Sequence, residues 1–248
     1  MEQVLVITGG SRGIGAATAL LAAERGYTIA LSYLQNQAAA NQVVQAIEQM
    51  GGQAIAIPTD IASEQQVIHL FQTVDEQFRC ITALVNNAGI LEPQMRLAQM
   101  DAARLNRVFA TNITGSFLCA REAVKRMSTQ RGGRGGAIVN LSSGAARLGS
   151  PGEYIDYTAS KGAIDTLTIG LAKEVAHEGI RVNAVRPGFI DTDIHASGGE
   201  PNRIERVKDL IPMKRGGEAI EVARAILWLL SDEASYTTGA FIDVTGGR

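Results

Sequence analysis

Short runs rich in β-branched residues alternate along this chain with longer stretches of helical periodicity. The short runs predict strands at 3–8, 27–33, 53–58, 81–86, 136–142, 180–186 and 239–244. The longer stretches predict helices near 13–25, 37–50, 64–78, 101–128, 156–177 and 218–231. Because crossovers of this length connect parallel strands, we expect an α/β fold: a doubly wound, parallel, seven-stranded sheet with helices on both faces. A ligand should then bind beyond the carboxyl ends of the strands.

Length and composition limit the number of domains and the kinds of partner. The 248 residues suffice for one large domain, and no linker divides them, so we expect a single domain over 1–248. A formal net charge of −2 with mixed signs gives no reason to expect nucleic acid or a membrane as partner. Cys80 and Cys119, each in an apolar context, do not indicate a disulfide framework. Since no signal peptide or membrane span is visible, we expect a cytoplasmic protein.

A glycine-rich turn follows the first predicted strand. Gly9, Gly13 and Gly15 have the spacing G-x-x-x-G-x-G and stand directly before an Ala-rich helix. Such a turn needs positive φ and close backbone approach, and it aims the N–H groups of a helix N-terminus at a phosphate. We therefore predict a dinucleotide site here, with Ser11 and Ile14 also in contact. A glycine-rich turn present only for packing is the alternative.

The second predicted strand bears on which dinucleotide is bound. An NAD site usually has an Asp or Glu about 20 residues after the glycine turn, where it holds the ribose 2′-hydroxyl. No acidic residue occurs from 25 through 47, and this strand ends near Ser32 and Tyr33. Arg12 in the turn could instead bind a 2′-phosphate. The sequence therefore favours NADP(H) over NAD(H), the alternative being that Arg12 is merely solvated.

Two further segments are candidates for nucleotide contacts. Asp60, followed by Ile61, stands after the third predicted strand and could accept a hydrogen bond from an adenine amino group. The alternative for Asp60 is a place in the N-terminal cap region of the next helix. Asn87, Ala88 and Gly89 follow the fourth strand, where a flat ligand could lie against the backbone of small residues. A plain Asn-containing turn is the alternative there.

Tyr157 and Lys161 are spaced i and i+4 in a predicted helix, so their side chains share one face. A free phenol titrates at about 10, and a neighbouring ammonium favours the phenolate. The pair could therefore act as a general acid for carbonyl reduction or a general base for alcohol oxidation. Ser142 and Ser143 end the preceding strand and would supply a hydroxyl at the same sheet edge. A chance Tyr–Lys spacing is the alternative.

Together these motifs resemble those of the classical short-chain dehydrogenase/reductase family, over essentially the whole chain. The matching segments, in order, are Thr8–Gly15, Asn86–Gly89, Asn112 within Thr111-Asn112-Ile113, Ser142-Ser143, Tyr157-x-x-x-Lys161 and Pro187-Gly188. Within the family, the chain is similar to the bacterial 3-oxoacyl-carrier-protein reductase and glucose 1-dehydrogenase group. The resemblance implies a single-domain Rossmann fold and hydride transfer with a nicotinamide cofactor and no metal.

The resemblance also implies roles for individual residues. Tyr157 would be the proton donor or acceptor, and Lys161 would hold the nicotinamide ribose and lower the pKa of the phenol. Ser143 would bind the substrate oxygen, and Asn112 would hold a water in a proton relay with Lys161. The further cofactor contacts would be Asn87, Ala88, Gly89, Pro187, Gly188, Ile190 and Thr192.

One spacing departs from the family pattern. The family usually places its serine 13 residues before the tyrosine, whereas Ser143 precedes Tyr157 by 14 and Ser142 by 15. The intervening sequence contains Glu153 and Tyr154 where a shorter Gln-containing segment is common. We expect Ser143 to be the catalytic serine, with Ser142 as the alternative, and the extra residue to reshape the rim of the pocket.

The segment from about 189 to 215 lies between a predicted strand and the last helix. In this family such a segment is a substrate lid, and its glycines suit a hinge. An ordinary surface loop is the alternative. A lone histidine in a lid is more often solvated, so we expect His195 to be solvated, the alternative being that it lines the pocket.

These observations predict an NADP(H)-dependent oxidoreductase that transfers a hydride between nicotinamide and a small carbonyl or alcohol substrate. The alternative is a regulatory protein that senses NADP(H) without turnover; such a protein should have lost the tyrosine or the lysine. Because family members are commonly tetramers, the resemblance implies a homotetramer that pairs the helices at 101–128 and 156–177.

Overall fold

The computed structural model describes residues 3–78 and 80–248. Its strands are β1 (Gln3–Ile7), β2 (Tyr27–Tyr33), β3 (Ala54–Pro58), β4 (Ile81–Asn86), β5 (Gly136–Leu141), β6 (Ile180–Pro187) and β7 (Phe241–Val244). They form one sheet in the order β3-β2-β1-β4-β5-β6-β7. Every neighbouring pair is parallel. The predicted doubly wound, seven-stranded parallel sheet is confirmed.

Helices cover both faces of this sheet. The α-helices are α1 (Gly13–Glu24), α2 (Gln37–Gln49), α3 (Glu64–Phe78), α4 (Ala102–Phe109), α5 (Ser116–Met127), α6 (Ala145–Leu148), α7 (Ile155–Val175), α8 (Ile194–Ser197), α9 (Arg203–Val207) and α10 (Ala219–Leu230). Short 3-10 turns are Leu97–Gln99, Thr129–Arg131, Ala176–Glu178, Lys208–Leu210 and Asp232–Ala234. Among the described residues, no helix combines the length and the apolar character needed to cross a bilayer.

Each face of the sheet carries its own hydrophobic core. Along β1, Leu5 and Ile7 pack into one core, while Val4 and Val6 pack into the other, because successive strand side chains point to opposite faces. Helices α1, α2 and α10 complete the first core, and α3, α5 and α7 complete the second. Burial on both faces is the physical reason that the strands are almost continuously apolar.

The strand order places a crevice at a defined point of the sheet. The chain winds outward from β1 through β2 to β3, and then returns to β4 on the other side of β1. The segments that follow β1 and β4 therefore diverge at the carboxyl edge, which is where a doubly wound sheet binds its ligand.

The predicted helix at 101–128 differs from the structure in its middle. It is divided into α4 and α5 by a π-helical turn, Ala110–Gly115. A π turn holds one residue more than an α-helical turn, and such turns occur frequently at functional sites. The apolar pattern of the segment continues across the turn, so the periodicity alone did not reveal it.

Candidate active site

The glycine turn after β1 brings bare backbone to the crevice. Gly9 has φ +64° and Gly13 has φ +55°, a region that L side chains rarely adopt. A Cβ atom on Gly15 would lie 2.3 Å from the carbonyl oxygen of Gly9, so no larger residue fits there without moving the backbone. The first N–H groups of α1 have no intrahelical partner and lie at this turn. The turn can therefore bind an anion such as a phosphate.

Asn87 fastens this turn to the end of β4. Its Nδ2 donates to the carbonyl oxygens of Thr8 and Gly9, at 2.9 Å each. In return, the Thr8 hydroxyl oxygen accepts from the backbone N–H groups of Asn87 and Ala88, at 3.0 Å each. The Asn87 amide is thus committed to holding the two strand ends together, which is close to the plain-turn alternative, although the residue also borders the cavity.

A cavity of about 910 Å³ extends along the carboxyl edge of the sheet, near the upper end of the usual size range for small-molecule sites. The predicted cofactor residues that line it are Gly9, Ser11, Arg12, Gly13, Ile14, Ser32, Tyr33, Asp60, Ile61, Asn87, Ala88, Gly89, Tyr157, Lys161, Pro187, Gly188, Ile190 and Thr192. Ser143 also lines the cavity, whereas Gly15 lies behind the turn and Asn112 lies behind Gly89.

Arg12 and the residues at the end of β2 line the same cavity. Arg12 is exposed and makes no ion pair with any residue in the described ranges. The Ser32 hydroxyl accepts from the N–H of Gly9 at 3.2 Å, so it is already used by the turn. Asp60 accepts from the N–H of Ala62 at 2.9 Å through one carboxylate oxygen, and it also lines the cavity. The two readings of Asp60, a local cap and a ligand contact, are therefore compatible.

Farther along the cavity, Tyr157 and Lys161 project from α7 toward the end of β5. The Lys161 Nζ lies 5.6 Å from the centre of the Tyr157 ring and donates to the carbonyl oxygen of Leu141 at 2.6 Å. The Ser143 side chain is near enough to the Tyr157 phenol to lower its pKa, and its hydroxyl oxygen accepts from the N–H of Ala145 at 3.1 Å. The Ser142 hydroxyl instead donates to the backbone carbonyl of Lys161 at 3.3 Å. Of the two serines, Ser143 is the one that acts on the pKa of the phenol.

Burial dominates the electrostatics of this pair. It raises the pKa of the Tyr157 phenol, against the lowering effects of the Ser143 hydrogen bond and the Arg203 charge. This is opposite to the sequence-based expectation of a lowered phenol pKa, because burial outweighs the lowering effects. Burial also lowers the pKa of Lys161 to about 8, while the charge of Asp165 opposes that shift.

Asn112 lies in the π-helical turn, directly behind this pair. A Cβ atom on Gly89 would be 3.4 Å from Asn112 Oδ1 and 3.6 Å from Lys161 Nζ, so these groups converge on one point. Asn112 Oδ1 accepts from the N–H of Ile90 at 2.8 Å, and its Nδ2 donates to the Ile90 carbonyl at 3.0 Å. The same Nδ2 donates to the Ser160 hydroxyl at 3.1 Å. The amide therefore connects the loop after β4 to α7.

The segment 189–215 folds over the cavity with α8 and α9. His195 is 8% exposed and lines the cavity, so the expectation that it is solvated is wrong. Its Nε2 is 2.9 Å from the carbonyl oxygen of Ile190, and this contact holds the ring inward. The lone position of His195 in a polar segment gave no sign of this.

Sequence reasoning missed Arg203, a second buried group of this segment. Its Nη2 donates to Glu153 Oε2 at 2.8 Å, and its guanidinium lies 4.5 Å from the centre of the Tyr154 ring. Glu153 and Tyr154 are the residues at which the chain departs from the family spacing. The residues that differ from the family pattern are therefore the partners of Arg203. Because about 50 residues separate Arg203 from them, no local sequence pattern could predict the contact.

A buried ion pair that was also missed supports the start of α7. Arg104 Nε donates to Asp156 Oδ2 at 2.7 Å, with side-chain exposures of 4% and 1%. Arg104 Nη1 donates to the carbonyl of Pro93 at 2.6 Å, and Asp156 Oδ1 accepts from the N–H of Tyr157 at 2.9 Å. The pair thus joins α4, the loop after β4 and the residue before the tyrosine.

The sheet, the glycine turn and the cavity define an α/β protein of the Rossmann type. Comparisons with known proteins carry this further. A family model described as enoyl-(acyl carrier protein) reductase matches residues 9–248. The sequence is 62% identical over 245 residues to the uncharacterised oxidoreductase YgfF of Escherichia coli K12, covering 99% of each chain. It is 40% identical over 246 residues to a 3-oxoacyl-[acyl-carrier-protein] reductase of Synechocystis, covering 99% of this chain and 96% of that one.

Solved structures agree with these sequence relatives. A short-chain type dehydrogenase/reductase from Mycobacterium marinum superposes with a TM-score of 0.93 at 32% identity, covering 99% of this chain and 94% of that chain. The chain therefore belongs to the short-chain dehydrogenase/reductase family of oxidoreductases.

Proposed function

We propose that the protein is an NADP(H)-dependent oxidoreductase acting at a C=O or CH–OH centre of a small molecule, with Tyr157 as general acid and base. The observation that carries the proposal is the union of two sites in one cavity. The glycine turn lies toward one end, and Tyr157, Ser143 and Lys161 lie farther along. Family membership supports the reaction class, and this arrangement supports the assignment of residues.

The residues present fit a nicotinamide dinucleotide. The turn offers backbone N–H groups without side chains, and Gly89 leaves open the approach to Lys161 and Asn112 that a Cβ atom would narrow. When bound, the cofactor would supply the hydride in reduction or accept it in oxidation.

The protein's own residues would transfer the proton to the substrate oxygen. Ser143 would hydrogen-bond the substrate oxygen and orient it toward the Tyr157 phenol. Burial raises the pKa of Tyr157, so the phenol is protonated at neutral pH and can donate to the developing alkoxide. Lys161, with a pKa of about 8, is mostly charged at pH 7, and its ammonium would stabilise the phenolate left behind. In alcohol oxidation the same groups would act in reverse.

The preference for NADP(H) is supported by charge. Arg12 is exposed at the cavity, and the residues that line the cavity at the end of β2 and directly after it are Ser32, Tyr33, Leu34, Gln35 and Asn36, none of which is acidic. A ribose 2′-phosphate would therefore face a cation rather than a carboxylate. A charge-assisted hydrogen bond of this kind contributes about 1.5–3 kcal/mol.

The role of Tyr157 is tested by NADPH oxidation with a panel of ketones, aldehydes, diketones and β-ketoacyl thioesters. Loss of a general acid lowers kcat by about 10²–10⁴-fold, so Tyr157→Phe should fall by that range. Tyr236→Phe, at a fully exposed tyrosine, is the matched control and should behave as the parent. Equal kcat in Tyr157→Phe and the parent would refute the assignment. If the parent oxidises no NADPH with any of these compounds but still binds NADPH, the alternative of a regulatory protein that senses NADP(H) would be favoured.

The choice of serine is tested by a second matched pair. Ser143→Ala should lose far more turnover than Ser142→Ala, because the Ser143 side chain acts on the phenol, whereas the Ser142 hydroxyl donates to the Lys161 carbonyl. If Ser143→Ala retains the activity of the parent, the assignment is wrong.

The cofactor preference is tested by the dissociation constants of NADPH and NADH. Arg12→Gln should weaken NADPH binding by about 10–100-fold and change NADH binding little. Arg131→Gln, an exposed arginine that does not line the cavity, is the control. A parent that binds NADH more tightly than NADPH would contradict the proposal.

A further inference from the structure

The proposed general acid lies at a weak point of its helix. Tyr157 is the third residue of α7, and the first N–H groups of an α-helix have no partner within the helix. Tyr154, which precedes the helix, gives no capping hydrogen bond from its side chain. Helix ends fray, yet a reacting group displaced by about 1 Å can lose roughly 10²-fold in rate. The backbone of Tyr157 therefore needs an anchor from outside its own helix.

Asp156 and Arg104 together supply that anchor. Asp156 Oδ1 accepts from the Tyr157 N–H at 2.9 Å, and Asp156 Oδ2 accepts from Arg104 Nε at 2.7 Å. The side chains of Asp156 and Arg104 are 1% and 4% exposed, so water does not compete for these bonds. Arg104 Nη1 also donates to the carbonyl of Pro93 at 2.6 Å, and Pro93 lines the cavity. One guanidinium thus holds both the start of α7 and the cavity wall that follows β4.

Asn112 makes matching connections at the other end of the helical segment that carries Arg104. Its Nδ2 donates to the Ile90 carbonyl at 3.0 Å and to the Ser160 hydroxyl at 3.1 Å. That hydroxyl in turn donates to the Tyr157 carbonyl at 2.6 Å. The segment of α4 and the π turn therefore holds Tyr157 through both its N–H and its carbonyl, and it holds the loop after β4 at two points. Two points fix an orientation as well as a distance.

Stability alone does not account for a buried ion pair at this place. Replacing such a pair by apolar residues of similar volume is often neutral or stabilising, because desolvation offsets the attraction of the charges. The geometry of Arg104 accounts for it better. Its rigid planar fork directs Nε and Nη2 to the two oxygens of Asp156, at 2.7 and 3.4 Å, and Nη1 to Pro93. No apolar side chain could hold these two partners in a fixed relation.

We propose that Arg104 and Asp156 are positioning residues of the active site, which fix Tyr157 relative to the cavity wall after β4 through the Tyr157 N–H and the Pro93 carbonyl. Neither side chain lines the cavity, so both act through Tyr157 and the wall rather than on the reacting atoms. The inference rests on the proposed function for the role of Tyr157, whereas the anchor at its N–H can be measured independently of any reaction.

The first test separates positioning from stability. Arg104→Met/Asp156→Leu removes both charges together and fills their space, so its free energy of unfolding should stay close to that of the parent. Its kcat for a ketone, per site that binds NADPH, should still fall about 10–100-fold, because the anchor is gone. The dissociation constant of NADPH should not change, since the glycine turn is untouched. With a merely structural pair, restored stability would restore kcat, so a kcat equal to that of the parent would overturn the proposal.

A second variant keeps the buried charge and so tests the fork itself. In Arg104→Lys, one ammonium can pair with Asp156 but lacks the fixed geometry that reaches Pro93 at the same time. Its kcat should fall about 3–10-fold with NADPH affinity unchanged, and a kcat equal to that of the parent would contradict the proposal.

A matched control removes an ion pair elsewhere. Arg126 and Asp75 have the same 2.7 Å distance from Nε to Oδ2, and neither lines the cavity. Arg126→Met/Asp75→Leu should therefore keep the kcat of the parent. A loss as large as in Arg104→Met/Asp156→Leu would overturn the proposal, since the loss of any ion pair would then suffice.

Hydrogen exchange measures the anchor without turnover. In Arg104→Met/Asp156→Leu, the Tyr157 amide has lost its acceptor, so it should exchange about 10–100-fold faster than in the parent, as followed by mass spectrometry at single-residue resolution. If it does so but no ketone oxidises NADPH even with the parent, the anchor stands and the proposed reaction is wrong. If the parent reduces ketones while exchange and kcat are the same in the variant, the reaction stands and the positioning role is wrong.

Discussion

The ion pair between Arg104 and Asp156 should be among the most sensitive points of the fold. Because both side chains are almost fully buried, its loss should follow the energetics of buried pairs rather than those of surface pairs. Asp156→Asn keeps the shape but removes the charge, which leaves Arg104 buried without a counter-ion. Breaking a buried pair in this way costs about 3–5 kcal/mol of unfolding free energy, against roughly 0–1 kcal/mol for an exposed pair.

A double-mutant cycle separates the pair from its neighbourhood. Arg104→Met and Asp156→Asn should each lose about 3–5 kcal/mol, and the double variant should lose clearly less than the two losses combined. Urea unfolding, followed by far-UV circular dichroism and by the fluorescence of Trp228, gives these values at a fixed protein concentration. Trp228 is the single tryptophan of the chain and lies on α10, away from the pair. Single losses below 1 kcal/mol, or strictly additive losses, would refute the reasoning.

Three further predictions concern the site and its assembly. Burial lowers the pKa of Lys161 in the folded chain to about 8, so between pH 8 and 10.5 the unfolded chain holds the Lys161 proton while the folded chain has released it. The free energy of unfolding should therefore rise with pH across this window relative to that of Lys161→Met. Parallel pH profiles of urea unfolding for the two proteins would contradict this. Gly15→Ala places a Cβ atom 2.3 Å from the Gly9 carbonyl oxygen, so NADPH affinity, measured by fluorescence titration, should fall at least tenfold. An affinity equal to that of the parent would show that the turn adapts. Phe117 on α5 and Ile169 on α7 are 47% and 42% exposed. We therefore expect light scattering to give the mass of a homotetramer, and Phe117→Glu to weaken this assembly. A parent protein with the mass of a monomer would exclude the homotetramer.

Most of the sheet and helix pattern could be predicted from sequence because both faces of the sheet are covered. Buried parallel strands are short apolar runs, whereas the covering helices are longer and several of them, such as α2, α3 and α10, are amphipathic, so strands and helices can be told apart. The π turn at Ala110–Gly115 was not predicted because it absorbs one extra residue within a helix whose flanking sequence remains typical of α-helix. Helices α8 and α9, of four and five residues, are too short to give a periodic signal.

In the candidate site, too, local motifs could be predicted from the sequence, whereas contacts between distant residues could not. Motifs that depend on local spacing, such as the glycine turn and Tyr157-x-x-x-Lys161, could be read directly. Arg203 and Glu153, or Arg104 and Asp156, meet only through the fold, with about 50 residues between partners. The direction of the Tyr157 pKa shift could not be anticipated either, since it depends on how deeply the fold buries the phenol.

The π turn lets one helical segment hold an extra residue without changing the direction of the residues on either side. Arg104 on α4 faces Asp156, Asn112 within the turn faces the loop after β4, and Phe117 on α5 faces outward. Because the turn absorbs its extra residue, deleting one residue there would restore an α-helical turn and leave α5 in the same phase relative to α4. Deleting a residue within α5 itself would instead rotate the following part of the helix by about 100°. The segment can therefore gain or lose a residue at the site, where the amide of Asn112 lies, while its outer surface keeps its orientation.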